Sequence, residues 1–226
     1  MIKLRNVTKR FKNGTYALKN INLDIAHGEF VFIVGASGAG KSTLMKLLYH
    51  EEVPSTGTVS IYGKNINTLK NDDIPLLRRQ MGIVFQDYKL LPNKTVYDNV
   101  AYVIRTLGVS TKDIRLKVMT ALKIVGLSEK ANAYPTELSG GEQQRVGIAR
   151  AFVCGPKILI ADEPTGNLDP TNSLEIMQIL DQINQRGTTV IVSTHDEAMV
   201  NYLRKRVITL GFGEIIKDKQ VGTYEQ

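Results

Sequence analysis

The segment that most constrains how this chain can fold is the glycine-rich loop Gly35-Ala36-Ser37-Gly38-Ala39-Gly40-Lys41-Ser42. The five residues before it, 30–34, are all apolar, and most are β-branched or aromatic, which predicts a buried strand. After it, Leu44, Leu47 and Leu48 recur at helical spacing. A strand, a loop of the form G-x-x-x-x-G-K-[ST] and a helix, in this order, predict a phosphate-binding loop in an α/β fold.

Each residue type in this loop has a physical role. The glycines let successive backbone N–H groups turn inward towards phosphate oxygens, and the following helix adds the positive end of its dipole. Lys41 supplies a mobile positive charge, and the Ser42 hydroxyl can bind Mg²⁺. The alternative is a plain glycine turn beside a surface Lys-Ser pair, and the flanking strand and helix argue against it.

Composition limits the remaining possibilities. The 226 residues allow one large α/β domain or a core with a subdomain, and 42% hydrophobic and 23% charged residues are typical of soluble globular proteins. No apolar run approaches ~18 residues and the start lacks an apolar signal segment, so we expect neither a membrane span nor secretion. The single cysteine, Cys154, excludes an internal disulfide framework, fits a reducing compartment and is interpreted as a buried, inert thiol.

The net charge of +7 favours an anionic partner: a nucleotide, a nucleic acid or the acidic inner leaflet of a membrane. Positive residues form two groups, and a solvated basic face explains either group at least as well as a partner site. The groups are Lys3, Arg5, Lys9, Arg10 and Lys12, and then Arg204, Lys205 and Arg206.

Strand patterns at 2–7, 17–25, 57–63 and 81–85 surround the phosphate loop, and a short helix with Pro75 near its start covers 74–79. The strand at 81–85 delivers Gln86, which can bind Mg²⁺ and orient water or, alternatively, simply cap the strand. Phe11 is a candidate to stack on an adenine face, with a sheet-edge core position as the alternative and Tyr16 as the rival candidate.

Residues 87–151 are helical in pattern, with helices over 96–107 and 110–125, and are interpreted as an insertion between two halves of the α/β core. The segment Tyr88–Pro92 is apolar but interrupted, which fits an exposed docking surface or ordinary packing beneath the helices. Ser139 and Glu142 have capping-box spacing and predict a helix start, where Gly140 and Gly141 leave N–H groups open to an anion.

Residues 158–161 form an apolar strand that ends in Asp162 and Glu163. Since adjacent strand residues point to opposite faces, we expect two roles: Asp162 holds Mg²⁺ through Ser42 or water, and Glu163 accepts a proton from the attacking water. Two solvated acids at a strand end are the weaker alternative.

Further along, Asp169 caps a helix with Pro170 at its first position, and a strand at 188–193 precedes His195. His195 can reach a γ-phosphate, whereas His27 and His50 occupy turn-like contexts without an assigned role. Two short strands, 207–210 and 214–217, and a polar tail close the chain.

These motifs, in this order, resemble the nucleotide-binding subunits of ATP-binding-cassette (ABC) transporters across essentially the whole chain. Six segments carry the resemblance: Gly35–Ser42 (Walker A), Gln86 (Q-loop), Leu138–Arg145 (signature), Ile158–Glu163 (Walker B), Gly166–Asp169 (D-loop) and His195 (switch histidine). The resemblance implies a P-loop NTPase core with a mixed sheet, an N-terminal antiparallel β-subdomain and an inserted helical subdomain. It places a single ABC ATPase domain over 1–226, with the core at about 1–86 and 152–226 and the helical part at about 87–151.

The resemblance also implies site residues, with ATP and Mg²⁺ as cofactors. Catalytic residues are Glu163, His195 and Gln86, and metal ligands are Ser42, Gln86 and Asp162. ATP-binding residues are Phe11, Gly35, Ala36, Ser37, Gly38, Ala39, Gly40, Lys41, Ser42 and Thr43. The D-loop residues are Asn167 and Asp169. A second copy of the chain contributes the signature residues Ser139, Gly140, Gly141 and Glu142, so that a slow ATPase forms as a head-to-tail homodimer around two ATP molecules.

A narrower resemblance, to the FtsE family of bacterial cell-division ATPases, rests on three segments and the compact length: 69–71 with 74–82, 95–101 and 140–150. It implies an FtsX-like integral membrane partner, control of cell-wall hydrolysis and a location at the cytoplasmic side of the plasma membrane. Phe11 stands where the family more often has Tyr, which keeps stacking but removes any hydroxyl contact. The alternatives are an ATPase of a lipoprotein-release or macrolide/peptide exporter and, more remotely, a nucleic-acid-associated ABC ATPase; no nucleic acid is expected, because the chain has neither a long coiled-coil insertion nor a second cassette.

Overall fold

The structure, a computed structural model, describes residues 1–221; the last five residues of the polar tail, 222–226, lie outside the described residues. The strands are β1 (Ile2–Arg10), β2 (Tyr16–Ile25), β3 (Phe30–Val34), β4 (Thr56–Ile61), β5 (Lys64–Asn65), β6 (Met81–Val84), β7 (Ile158–Asp162), β8 (Thr189–Ser193), β9 (Arg206–Gly211) and β10 (Glu214–Lys219). The α-helices are α1 (Lys41–Leu48), α2 (Ile74–Arg78), α3 (Val96–Arg105), α4 (Thr111–Ile124), α5 (Gly140–Phe152), α6 (Pro170–Gln185) and α7 (Glu197–Leu203), with short 3₁₀ turns at Ser128–Lys130 and Pro135–Glu137.

The larger sheet has six strands in the order β10-β9-β3-β8-β7-β6. All neighbouring strands run parallel except β10, which pairs antiparallel with β9. Every residue of β3 and β8 is buried, because helices cover both faces of a parallel sheet. Alternate residues of β3 enter different cores: Phe32 packs with the helices α3–α6, and Ile33 packs with α1 and the smaller sheet.

The smaller sheet is antiparallel in the order β2-β1-β4-β5 and lies at the N-terminal part of the chain. Ile2 of β1 lies opposite Ile25 on one side and Ile61 on the other, and all three belong to the core that packs against α1. A mixed sheet with an antiparallel N-terminal sheet is the architecture that the sequence predicts.

Three helices, α3, α4 and α5, lie between β6 and β7, where the sequence predicts a helical segment. The predicted apolar stripe of α4 is buried, and the Ser110 hydroxyl accepts a hydrogen bond from the backbone N–H of Asp113 at the predicted start. The sequence analysis missed α7 and the two-residue strand β5, because seven or two residues are too short to show a hydrophobic period.

Half of the eight positive residues in the two groups form ion pairs within the described part of the chain. In the first group, Arg5 pairs with Asp24, and Lys9 pairs with Glu52. In the second group, Lys205 pairs with Asp181, and Arg206 is buried between two carboxylates. The pairs of the buried Arg206 belong to the fold, whereas the Arg5–Asp24 pair is exposed and remains part of the surface.

Cys154 is half-buried, and burial raises the pKa of its thiol, which agrees with an inert side chain. Within residues 1–221, no helix combines the length and the apolar character that crossing a membrane requires.

Candidate active site

The predicted phosphate loop connects the end of β3 to the start of α1, at the carboxyl edge of the parallel strands, where α/β sheets bind ligands. A cleft of about 850 Å³ opens over it. Its lining includes most of the predicted nucleotide residues together with both candidate aromatic residues, a glutamine, a glutamate and a histidine. They are Phe11, Tyr16, Gly35, Ala36, Ser37, Gly38, Gly40, Lys41, Ser42, Thr43, Gln86, Glu163 and His195.

Two loop glycines are required by close packing as well as by backbone conformation. A Cβ on Gly35 would lie 2.3 Å from the carbonyl oxygen of Leu210, and one on Gly40 would lie 2.5 Å from that of Ala17. Both glycines have positive φ, +145° and +106°. The loop therefore packs closely against β9 at Gly35 and against β2 at Gly40, and this packing holds its N–H groups in place.

Lys41 lies at the floor of this loop and is nearly buried. Its Nζ donates to the carbonyl oxygens of Gly35 at 2.8 Å and Ala36 at 3.3 Å, and lies 3.6 Å from Oε1 of Glu163. These contacts fix the ammonium group beside the loop, where phosphate oxygens of a nucleotide would lie.

The acidic residues at the end of β7, Asp162 and Glu163, both face the phosphate loop. Oδ1 of Asp162 accepts a hydrogen bond from the Ser42 hydroxyl at 3.3 Å and another from the Ser193 hydroxyl. The same Ser193 hydroxyl accepts the backbone N–H of Glu163 at 3.0 Å. Ser193 therefore holds both acids, a role that sequence analysis missed and that only its polar character at the end of a buried strand could have signalled.

The structure corrects the expectation that strand alternation places Asp162 and Glu163 on opposite faces. The strand β7 ends at Asp162, and Glu163 has φ of +49°, a left-handed conformation, so the alternation rule does not apply to it. Instead, this turn directs its carboxylate between Lys41 and His195, whose Nδ1 lies 2.7 Å from Oε2. A carboxylate held between a cation and an imidazole in a phosphate cleft can accept a proton from water.

Oxygen donors at this edge fit a magnesium ion. Ser42, Gln86 and Asp162 offer a hydroxyl, an amide and a carboxylate, the ligand types that Mg²⁺ prefers, and Gln86 lines the cleft where β6 ends. The part of the chain that the structure describes contains no cluster of three or more His, Cys, Asp or Glu that could hold a metal by itself. The ion would therefore need phosphate oxygens of the nucleotide to complete its coordination.

Both aromatic candidates reach the cleft, so the choice between Phe11 and Tyr16 stays open. Lys9 Nζ lies 5.4 Å from the centre of the Phe11 ring, and the Arg10 guanidinium lies 5.3 Å from that of Tyr16. Further lining residues that sequence analysis missed are Thr15, Ala17 and Glu197.

The segment Tyr88–Pro92 is partly packed and partly exposed: Leu90 packs against the core, whereas Leu91 is exposed.

The segment Ser139–Glu142 does not line this cleft. The Ser139 hydroxyl accepts the N–H of Glu142 at 3.3 Å and Oε2 of Glu142 accepts the N–H of Ser139 at 3.0 Å, which is the predicted capping box. A hydrogen bond from Lys130 and those of this box lower the pKa of the Glu142 carboxyl. The predicted helix start is therefore a capped terminus that lies outside the phosphate cleft of its own chain.

Close packing explains one of the glycines at this helix start. A Cβ on Gly141 would lie 2.1 Å from Oδ1 of Asn172, near the start of α6. Asp169 caps that helix as predicted, with its carboxylate accepting the N–H of Asn172 at 3.0 Å. Asn167 and Asp169, like the signature residues, lie outside the cleft lining.

Comparisons with known proteins agree with this geometry. A model of the protein family described as ABC transporter matches residues 18–166. The cell division ATP-binding protein FtsE of Streptococcus pneumoniae (strain D39) is 51% identical over 99% of this chain and 97% of its own, and that of Bacillus subtilis is 49% identical over 99% and 98%. FtsE of Escherichia coli K12 is 47% identical over 95% and 97%.

Solved structures of ABC cassettes are also similar. A dimeric bacterial ABC transporter cassette superposes with a TM-score of 0.90 at 40% identity, covering 99% of this chain and 100% of that one. Its dimeric post-hydrolysis state bound to ADP and phosphate gives 0.89 at 39% identity, with the same coverage. The predicted fold class and both predicted resemblances are confirmed: this chain belongs to the ABC transporter family of ATP-binding cassettes, among the FtsE cell-division ATP-binding proteins.

Proposed function

We propose that this chain is the ATP-hydrolysing subunit of an FtsE-type membrane complex, and that it works as a homodimer that closes around two ATP molecules. One observation carries the catalytic part: the Glu163 carboxylate lies between Lys41 and His195 inside the phosphate cleft. A proton acceptor, a phosphate-binding cation and a polar contact for the γ-phosphate are therefore within one cleft.

Each group in the cleft has a defined role in this mechanism. Lys41 and the loop N–H groups from Gly35 to Thr43 hold the β- and γ-phosphates, and one of the two aromatic rings that line the cleft, Phe11 or Tyr16, stacks on the adenine. Ser42, Gln86 and Asp162 would hold Mg²⁺, which neutralises phosphate charge when bound. Glu163 accepts the proton of the attacking water, and His195 contacts the γ-phosphate and orients the Glu163 carboxylate through its Nδ1.

The outer side of the γ-phosphate is completed by a second copy. The segment Ser139–Glu142, with Asn167 and Asp169, lies outside its own cleft and in a dimer would face the nucleotide of the other copy. A helix N-terminus contributes only about 0.3–1 kcal/mol, up to ~2 when partly buried, whereas an arginine finger contributes a factor of roughly 10³–10⁵ in rate. We therefore expect slow ATP hydrolysis by the isolated chain and faster hydrolysis after a membrane partner docks.

The biological role that we propose follows the FtsE relatives. An FtsX-like integral membrane protein is the partner, the complex lies at the cytoplasmic side of the bacterial plasma membrane, and its activity regulates cell-wall hydrolysis during division. The chain forms one ABC ATPase domain over 1–226, in which the helical part over about 87–151 carries the signature residues. The identity of about half of all residues to FtsE proteins supports this role over that of an exporter ATPase.

The substitution Glu163→Gln tests the catalytic assignment. It should lower the ATPase rate by roughly 10²–10⁴-fold, the contribution of a general base, while ATP binding is retained and an ATP-bound dimer accumulates in size-exclusion chromatography. Glu129→Gln removes the same charge at an exposed site and is the control. A Glu163→Gln protein that hydrolyses ATP at the wild-type rate would refute the assignment of the base.

Co-purification from bacterial membranes tests the partner. Mass spectrometry of the bound permease should identify an FtsX-like protein, and the complex should hydrolyse ATP faster than the isolated chain. Recovery of a lipoprotein-release or exporter permease in its place, or a faster rate for the isolated chain, would contradict the proposal.

A further inference from the structure

Helix α5, which begins at the signature residues, holds the two turns that carry Gln86 and Glu163. Nε2 of Gln144 donates to the carbonyl oxygen of Pro164 at 2.8 Å, directly after Glu163. Arg150 donates to the carbonyl oxygens of Tyr88 at 2.8 Å and Lys89 at 2.5 Å, two and three residues after Gln86. One helix thus contacts both turns of its own cleft.

Both turns have backbone conformations that L-residues rarely adopt. Glu163 has φ of +49°, and two consecutive residues, Tyr88 and Lys89, have φ of +54° and +48°. Left-handed conformations at residues other than glycine cost conformational free energy and persist only where surrounding contacts hold them. The hydrogen bonds from Gln144 and Arg150 end on these turns, so α5 provides such contacts.

Gln144 is a buried polar side chain, and Arg150 is a partly buried cation. Gln144 is completely buried, and within residues 1–221 its Oε1 finds no hydrogen-bond partner. Arg150 is partly buried, its guanidinium contacts backbone carbonyls and no described carboxylate, and partial burial lowers its pKa. An apolar side chain would fill the position of Gln144 at lower cost if packing were the only requirement, so a role in holding the turn after Glu163 is the simpler explanation for Gln144.

We propose that Gln144 and Arg150 are positioning residues, which tie the turns of Glu163 and Gln86 to α5 and so link the signature end of this helix to the catalytic residues of the same subunit. The inference rests on the proposed function, in which the signature end of α5 meets the nucleotide of the other copy. Closure of the dimer onto α5 then holds Glu163 and Gln86 in their reactive positions, which ties hydrolysis in one cleft to occupancy of the other.

Two conservative substitutions test this link. Gln144→Met keeps the volume of the side chain and removes its donor, and Arg150→Lys keeps the charge but cannot donate to two carbonyls in the fork geometry of arginine. Arg78→Lys is the matched control, because Arg78 likewise donates to two carbonyl oxygens, those of Tyr49 and His50 at 3.0 Å each, and His50 is also left-handed. The Arg78 clamp, however, lies at the other end of α1 from the phosphate loop.

The readouts separate positioning from folding and from binding. For the wild-type chain and the three variants, we would measure kcat and KM for ATP, binding of a fluorescent ATP analogue and, in a Glu163→Gln background, ATP-dependent dimerisation. We expect Gln144→Met and Arg150→Lys to lower kcat at least about tenfold, with analogue affinity within about twofold and dimerisation retained, while Arg78→Lys keeps the wild-type kcat.

Three outcomes would overturn the inference. The first is a kcat within about twofold of wild type for both variants. The second is a joint loss of kcat, analogue binding and dimerisation in Gln144→Met and Arg150→Lys. The third is an equal loss of kcat in Arg78→Lys. Either of these two results would indicate that the side chains have only a general structural role. A wild-type chain that neither hydrolyses ATP nor dimerises would refute the proposed function first and this inference with it.

Discussion

Replacing Arg206 by methionine should destabilise the whole sheet. Arg206 is buried on β9, and its guanidinium donates to both carboxylate oxygens of Asp218 at 2.8 and 2.7 Å. It also donates to Oε1 of Glu29 and to the carbonyl oxygen of Asp24, each at 2.8 Å. The side chain thus joins β10 and the turn before β3 to the end of β2, and these contacts raise the pKa of the guanidinium, the Asp218 hydrogen bonds most.

The size of the effect follows from how exposed the carboxylates are. Removing one partner of a buried ion pair typically costs about 3–5 kcal/mol, because the other charge stays buried without compensation. Glu29 is 19% exposed and fits this case, whereas Asp218 at 36% is exposed enough that its share falls towards the ~0–1 kcal/mol of surface pairs. We therefore expect a loss of about 3 kcal/mol, at the lower end of the range.

Urea denaturation followed by circular dichroism measures this loss. With a slope of about 2–3 kcal/mol per molar, the midpoint of Arg206→Met should fall by about 1–1.5 M. Arg204→Met is the control, because it removes the same charge two residues earlier from an exposed side chain. If the two variants unfold within about 1 kcal/mol of each other, the buried-pair reasoning is wrong.

Three further predictions concern the cleft and the start of α5. Lys41→Ala should abolish ATP binding in calorimetry, because it removes the cation beside the phosphate loop. An unchanged affinity for ATP would contradict the assignment of this loop and of Lys41 as the phosphate-binding site. Gly40→Ala should cost about 1–2 kcal/mol of stability from the left-handed backbone alone, with further loss from the contact with Ala17, and a thermal melt at the wild-type temperature would refute this. The pKa of Glu142 is lower in the folded protein than in the unfolded chain, where it is about 4.3. The stabilisation by this helix cap is therefore fully present above pH ~4.3 and is lost as the pH falls through the folded pKa. In an NMR titration, Lys130→Ala should raise the pKa of Glu142, because it removes the largest cause of the lowered value.

Local sequence rules predicted most of the elements because each rule acts over a few neighbouring residues. The capping boxes, the Asp169 cap with Pro170 and the apolar strands before the phosphate loop and before Asp162 all depend on short spacings. Strand alternation gave the wrong orientation for Glu163, because this residue lies one position past the end of β7. The helix α7 was missed because its seven residues are too few to show a hydrophobic period.

The sequence by itself determined the chemistry of this protein: which loop can surround phosphates, which acids can hold a metal or accept a proton, and which family shares this order of motifs. Each motif is local, because residue type and spacing over fewer than ten positions set it, and the family follows from the order of these motifs along the chain. Only the tertiary structure decided which groups meet. Ser193 bridges Asp162 and Glu163 from a neighbouring strand, Gln144 and Arg150 reach the two strained turns from α5, and Arg206 is a buried sheet contact rather than part of a basic face. These contacts join residues up to 182 positions apart, and their partners are fixed by sheet order and helix packing, which no short window of sequence contains.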